Sequence, residues 1–238
     1  MKIYLRPHSF SAISFDLDDT LYDNGPIIRA AEQSLLEFLN YRYSETLRWQ
    51  RTDWLELKKR LILNHPELAH DTTAARLIML EQGLLGLGYS RGESEEGANA
   101  GLNHFLAARS AFTVSKPVIK LLEALSEQYP LIGITNGNVD ADKIGLGNVL
   151  DFVLHPGQGT RMKPYPDMFY SACRKLDIPL HSLLHVGDSH VSDVQGARLA
   201  GCQSAWLNPK FDGAKSVMSH GLLPHVEVSS LQELIAFL

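Results

Sequence analysis

The sequence predicts an α/β protein: a doubly wound parallel sheet interrupted, after its first strand, by an all-helical module. Three patterns carry that prediction. An apolar run over residues 11–16 reads as a strand. Between residues 23 and 110 apolar side chains recur at helical spacing, with no convincing strand among them. From Ser115 onward short apolar strands alternate with helices, which implies parallel strands joined by right-handed crossovers. The expected boundaries are 1–21 and 112–238 for the α/β core and 22–111 for the helical insert.

In the insert, Ile27, Ile28, Ala31, Leu35, Phe38 and Leu39 fall on one helical face. Further helices are expected over about 52–63, 71–85 and 93–108, with Gly83, Gly86, Gly88 and Gly92 marking the break between the last two. In the core, Ser115 is placed to cap a helix whose apolar face is Val118, Leu121, Leu122 and Leu125. Residues 131–135 form a short, almost wholly apolar strand, as expected where both faces of a sheet are covered. Residues 152–154, 183–186 and 204–207 read as further strands, with helices at about 167–176 and 191–200. Ser230-Leu-Gln-Glu233 reads as a capping box opening a final helix. Ligands of such sheets sit outside the carboxyl ends of the strands, and the polar motifs fall there.

Composition narrows the function classes. A chain of 238 residues is long enough for a core plus a smaller module. The net charge of −5, without a dense Lys/Arg run, argues against a nucleic-acid partner. Arg6, Pro7 and His8 interrupt any leader-like apolar stretch, and no run approaches the roughly 18 apolar residues of a membrane span. Cys173 and Cys202 form no C-x-x-C, so two buried free thiols in a reducing cytoplasm are expected.

The most informative peptide is Ile13-Ser-Phe-Asp-Leu-Asp-Asp-Thr-Leu-Tyr22. Residues i and i+2 of a strand point to the same side, so Asp16 and Asp18 make a negative well at a strand end. Such a well calls for a cation or a shared proton, and Mg²⁺ takes carboxylate, water and phosphate oxygens. A calcium-binding EF-hand loop would need Gly where Leu21 stands and Glu where Ile27 stands. Thr135-Asn136-Gly137-Asn138 follows the next strand and offers a hydroxyl and main-chain N–H groups to phosphate oxygens. In Lys163-Pro-Tyr-Pro-Asp-Met-Phe169, Pro164 keeps Lys163 in a loop at a helix entrance. Gly157-Gln-Gly-Thr160 lacks the P-loop pattern and reads as a flexible connector. Leu184-His-Val-Gly-Asp188 ends another apolar strand in a carboxylate. Asp188 can share a Mg²⁺ with Asp16, and Asp193 can orient a metal-bound water.

These four motifs, in this order, resemble the haloacid dehalogenase superfamily of phosphohydrolases. The resemblance rests on D-x-D-x-T, the strand-end Thr, K-P-x-P-x-x-F and G-D-x-x-x-x-D, and it spans nearly the whole chain. It implies a Rossmann-like core, with the helical insert resembling that superfamily's first type of cap. By the same resemblance Asp16 is the nucleophile and Asp18 the acid and then the base. Mg²⁺, replaceable by Mn²⁺ or Co²⁺, is held by Asp16, the main-chain carbonyl of Asp18, and Asp188. Thr135, Asn136 and Lys163 hold the phosphate oxygens, and Leu17 joins the substrate contacts. The shorter strings L-Y-D-N, I-T-N-G-N and H-V-G-D are similar to those of flavin-pathway phosphatases, which implies ribitylaminouracil phosphate or FMN as substrate. The partner implied is a small phosphorylated metabolite; monomer and dimer both stay open. A noncatalytic partner-binding protein and a sugar phosphatase or phosphomutase are the alternatives. In the cap, Asp23, Asn24 and Arg76 are candidates for leaving-group contacts, and Trp49, Trp54 and Tyr22 for stacking or plain packing. His185 reads as a core histidine.

Overall fold

The computed structural model describes residues 1–208 and 221–238. Seven strands form one sheet: β1 (Lys2–Ile3), β2 (Ala12–Phe15), β3 (Leu131–Ile134), β4 (Phe152–Leu154), β5 (Leu183–Gly187), β6 (Gln203–Leu207) and β7 (Val226–Val228). Their order is β1-β7-β6-β5-β2-β3-β4, parallel throughout except for the β1–β7 pair. The core strands lie where the apolar runs predict them. β1 and β7 are not expected from the sequence; both are very short, β7 pairing parallel with β6 and β1 antiparallel with β7. The direction of strand addition reverses around β2, which lies between β3 and β5. That is the switch point at which open α/β sheets bind ligands.

The two faces of the sheet are sorted by residue parity. Ile13, Phe15, Leu131, Leu184 and Val186 pack with Leu121, Leu122 and Leu125 of helix α5 (Lys116–Ser126). Ala12, Ile132, Ile134 and Leu183 pack on the other face with Met168, Phe169 and Ala172 of α6 (Asp167–Leu176) and with Ala197 and Ala200 of α7 (Gly196–Ala200). Helix labels α1–α4 belong to the insert: Asn24–Arg42, Arg51–Asn64, Thr72–Gly86 and Arg91–Arg109. Their starts follow from side chains that satisfy the first free N–H groups. Asp23 accepts from Gly25, Asp71 from Ala74, and Ser90 with Glu93 forms a reciprocal box. Leu35, Leu39, Trp54, Leu80, Leu84 and Phe105 form a separate apolar core within these helices.

Three local expectations change. Ser115 precedes α5, but its side chain makes no capping bond. Glu233 bonds the N–H and hydroxyl of Ser229 rather than closing a box with Ser230, and the last turns are 3₁₀-helical. Gly157–Thr160 is an ordered tight turn, closed by Gly157 N–H to Thr160 O (2.8 Å) and Thr160 N–H to Gly157 O (2.9 Å). The two cysteines are free and buried. Among the described residues no helix is long and apolar enough to cross a membrane.

Candidate active site

Hydrogen-bond register carries Asp16, Thr135 and Asp188 to one edge. Phe15 pairs with Gly133 on one side and Val186 on the other, so all three strands end together. Lys163 enters this edge from the loop before α6, and its ammonium is fully buried. It donates to Asp16 Oδ1 (2.8 Å), Asp193 Oδ1 (2.7 Å) and the Ile134 carbonyl (2.5 Å). Asn136 fixes the lysine's main chain: Lys163 N–H donates to Asn136 Oδ1 (2.8 Å), and Asn136 Nδ2 donates to Lys163 O (2.9 Å). The Asn136 side chain is therefore a clamp on Lys163, which leaves its main chain for a substrate.

Beneath this edge lies a polar relay that the sequence reading missed. Ala12, Ser14 and Asp16 share one parity, as do Leu183 and His185. Ser14 and His185 thus lie on the face covered by α6 and α7. His185 Nε2 is 3.1 Å from Asp193 Oδ1, and Nδ1 is 2.9 Å from Ser14 Oγ. Burial, with Lys163 beside it, pushes the imidazole down to about 4. The ring is neutral at pH 7: a carboxylate only accepts, so Nε2 carries the proton and Nδ1 accepts from Ser14. The signal was present in the sequence, as lone polar residues inside otherwise apolar buried strands.

Asp188 is reached by the Thr20 hydroxyl (3.1 Å), and its carbonyl accepts from Trp206 Nε1 (2.8 Å) on neighbouring β6. Oxygens of Asp16, Asp188 and Asp193 lie within 4.8 Å of one another. Both Asp193 oxygens are committed, one to Lys163 and His185 and the other to Ser189 N–H (2.8 Å). Gly187 has no side chain because the Asp193 carboxylate occupies the space a Cβ would take. Three carboxylates face one ammonium here, and the imbalance appears in their proton affinities. Burial, opposed by Lys163 and reinforced by Asp193, pushes Asp16 up to about 8. Burial and Asp193 push Asp188 up to about 6. Burial would raise Asp193 too, but Lys163 and His185 outweigh it and hold it well below the carboxylate range. Both upward shifts reflect more negative charge than the Lys163 ammonium offsets. A divalent cation bound by oxygens of Asp16 and Asp188 fits this donor set and its excess negative charge.

The Asp18 carboxylate lies outside that acidic cluster. Its Oδ1 accepts from the buried Arg109 guanidinium and from the Tyr22 hydroxyl (2.7 Å). Its Oδ2 faces Gly137, where a Cβ would lie 2.5 Å away. Thr135 Oγ1 accepts from Gly137 N–H (3.0 Å), so its own proton remains to be donated. Asp16, Asp18, Thr135, Asn136, Lys163 and Asp188 line one cavity of about 190 Å³. Leu17 is wholly buried in the core and does not line the cavity.

Arg76 does not join them. Its guanidinium stacks 3.6 Å above the Phe105 ring and faces Glu32 at 3.9 Å. It lines a separate space inside the cap with Trp54 and Lys58. Trp49 and Trp54 pack against each other, and Asp23 is occupied in capping α1. The cap instead meets the core through the start of α3. Asn138 Nδ2 donates to Thr73 Oγ1 (3.1 Å), Asp71 abuts Gly157, and His70 packs edge-on against Tyr165.

A carboxylate at the switch point of a mostly parallel sheet, with a buried lysine beside it, marks a doubly wound α/β protein whose site lies at the strand ends. The chain belongs to the haloacid dehalogenase-like hydrolases, whose family model matches residues 10–201. It is 37% identical to the Escherichia coli (strain K12) 5-amino-6-(5-phospho-D-ribitylamino)uracil phosphatase YigB, over all of both chains. It is 28% identical to the Rattus norvegicus N-acylneuraminate-9-phosphatase, over 95% of this chain and 93% of that one. Among solved structures it resembles one described as a 2-haloacid dehalogenase from Pseudomonas syringae pv. tomato DC3000. The TM-score is 0.88 at 30% identity, covering 95% of this chain and 97% of that one.

Proposed function

We propose that the protein is a Mg²⁺-dependent phosphomonoester hydrolase of small metabolites, with 5-amino-6-(5-phospho-D-ribitylamino)uracil as the preferred substrate and FMN as a second. The observation that carries the reaction class is the pairing of two carboxylates with different surroundings. Asp16 sits with Lys163 among the acidic groups, and Asp18 stands apart with one oxygen toward the Thr135–Gly137 loop. The substrate assignment is supported by full-length similarity to a phosphatase named for that compound. The two buried free thiols support a reducing cytoplasmic location.

Asp16 attacks phosphorus while Asp18 gives its proton to the leaving alkoxide, so the ester P–O bond breaks as the aspartyl-phosphate forms. Asp18, now ionised, takes a proton from water; the water oxygen bonds phosphorus and the aspartyl P–O bond breaks. Asp16 is regenerated and inorganic phosphate leaves. The Thr135 hydroxyl donates to a nonreacting oxygen as charge redistributes, while Lys163, whose three N–H bonds go to Asp16, Asp193 and the Ile134 carbonyl, holds the nucleophile and offsets its charge. When bound by Asp16, Asp188 and the Asp18 carbonyl, Mg²⁺ screens the repulsion between nucleophile and substrate.

A dehalogenase reading has the structural relative in its favour, but halide departs without a proton donor, and Asp18 would then have no task. Wild-type protein should release phosphate from p-nitrophenyl phosphate, lose that activity in EDTA, and release no chloride from 2-chloropropionate. Chloride release, or turnover unaffected by EDTA, defeats the proposal. Among metabolites, kcat/KM should be highest for the ribitylaminouracil phosphate; a sugar phosphate exceeding it removes the substrate assignment. Asp18→Asn should slow phosphate release about 10²–10⁴-fold, the usual range for acid–base groups; a loss under tenfold assigns the proton to another residue.

The same site sets a pH dependence of stability. Asp16 and Asp188 bind protons more tightly folded than unfolded, so metal-free protein loses stability as pH rises from 3.8 toward about 8 and about 6 respectively. Asp193 acts oppositely: its contribution is complete above 3.8 and is lost on acidification. Mg²⁺ relieves the first effect and must displace protons at low pH. At about 100 times its Kd it stabilises by about 2.7 kcal/mol. The rise in Tm with Mg²⁺ should be several degrees at pH 8 and much smaller at pH 5; an equal rise at both would place the ion elsewhere.

A further inference from the structure

We propose that Arg109 is a positioning residue for Asp18, tying the acid–base group to the point where the cap returns to the core. The proposal rests on the phosphatase reading above. Arg109 is the last residue of α4, and its side chain is buried. One guanidinium nitrogen, Nη2, bonds Asp18 Oδ1, while Nη1 is buried with no hydrogen-bond partner. A guanidinium stays charged at any working pH, and burying it with an unpartnered nitrogen is costly. A leucine would end the helix and fill the space without that cost, so packing alone does not account for an arginine here.

The second donor to the same oxygen comes from the other cap connection. Tyr22 lies just beyond Asp18 on the outgoing segment, donates to Oδ1, and packs edge-on against Phe112 of the returning segment at 4.7 Å. Both chain crossings between core and cap thus converge on one oxygen of Asp18. The other oxygen is left facing Gly137 and the cavity lined by Thr135 and Asp16. Arg109 and Tyr22 hold the carboxylate in one rotamer, so that the proton carried on Oδ2 meets the leaving oxygen. Arg109 does not touch substrate; it acts through Asp18.

The test uses leaving groups that differ in their need for a proton. p-Nitrophenolate departs with little assistance, whereas the alkoxide of β-glycerophosphate must be protonated. Arg109→Met should lower kcat on β-glycerophosphate about 10–100-fold, the scale on which a misplacement of about 1 Å acts. That loss should exceed the loss on p-nitrophenyl phosphate by at least about tenfold, with KM little changed on either. Arg109→Lys should recover part of the β-glycerophosphate rate. In an Asp18→Asn background Arg109→Met should add no further loss. Equal losses on both substrates, or a full additional loss in the Asp18→Asn background, would show a merely structural role and overturn the proposal. If Arg109→Met does not fold, Tyr22→Phe, which removes the other donor to Oδ1, must show the same bias toward the alkyl ester, and equal losses there overturn it too. Wild-type protein inactive on both substrates would defeat the phosphatase reading and this proposal with it; active wild type with unbiased variants defeats this proposal alone.

Discussion

Asp16→Asn should reduce phosphate release to below about 10⁻⁴ of the wild-type rate, the scale of losing a nucleophile, in a protein that still folds. An amide cannot form the aspartyl-phosphate, and no other carboxylate stands in its place. Asp18 is held by Arg109 and Tyr22, and Asp193 by Lys163, His185 and Ser189. The fold should tolerate the change because Asn retains an oxygen for the Lys163 ammonium, and Lys163 keeps Asp193 as counter-ion. Asp16 is itself a burden on the metal-free fold, since burial pushes its carboxyl up to about 8. The variant should therefore melt no lower than metal-free wild type at pH 8. Circular dichroism and a phosphate assay on the same preparation decide the matter: a folded variant retaining a tenth of the wild-type rate would require another nucleophile.

Lys163→Met is expected to damage both fold and reaction. The ammonium is the sole cation in direct contact with Asp16 and Asp193 among the described residues. Deleting one member of a buried ion pair costs about 3–5 kcal/mol, because the remaining charge is stranded. At about 2–4 °C per kcal/mol for a protein of this size, Tm should fall by about 6–20 °C. The two carboxylates can escape by taking up protons, so the deficit should deepen from pH 5 to pH 8. Lys163→Met/Asp193→Asn removes one stranded charge and should melt higher than Lys163→Met alone. Turnover should fall about 10²–10³-fold from loss of the charge that holds and balances the Asp16 nucleophile. A Tm within 1–2 °C of wild type at pH 8 (about the resolution of a single-residue effect) would mean that Lys163 does not balance the acidic cluster.

The site was legible wherever a polar residue interrupts an apolar strand at its end. Asp16, Thr135 and Asp188 each follow such a run, and the sheet sets them side by side. Lys163 was legible because Pro164 marks a loop and Pro166–Asp167 a helix entrance. The resemblance places Asn136 among the residues that hold phosphate oxygens; its side-chain amide bonds the Lys163 main chain, a partner 27 positions away, which the sequence does not signal. Arg76 was read as a substrate contact, but Phe105 and Glu32 claim it within the cap. Arg109 carried no sequence signal: a basic residue in a last helical turn is ordinary, complementing the free carbonyls there.

From sequence alone came the strand–helix alternation, the helical insert and the acidic and basic residues that the chemistry requires, because periodicity and local stereochemistry are short-range properties. Tertiary structure decided the assignments within the site: Asn136 to a clamp, His185 and Ser14 to a relay, Arg109 and Tyr22 to the oxygen of Asp18. Those depend on hydrogen bonds and burial between residues far apart in the chain, and a side chain's charge and reach alone do not reveal which distant group will become its partner.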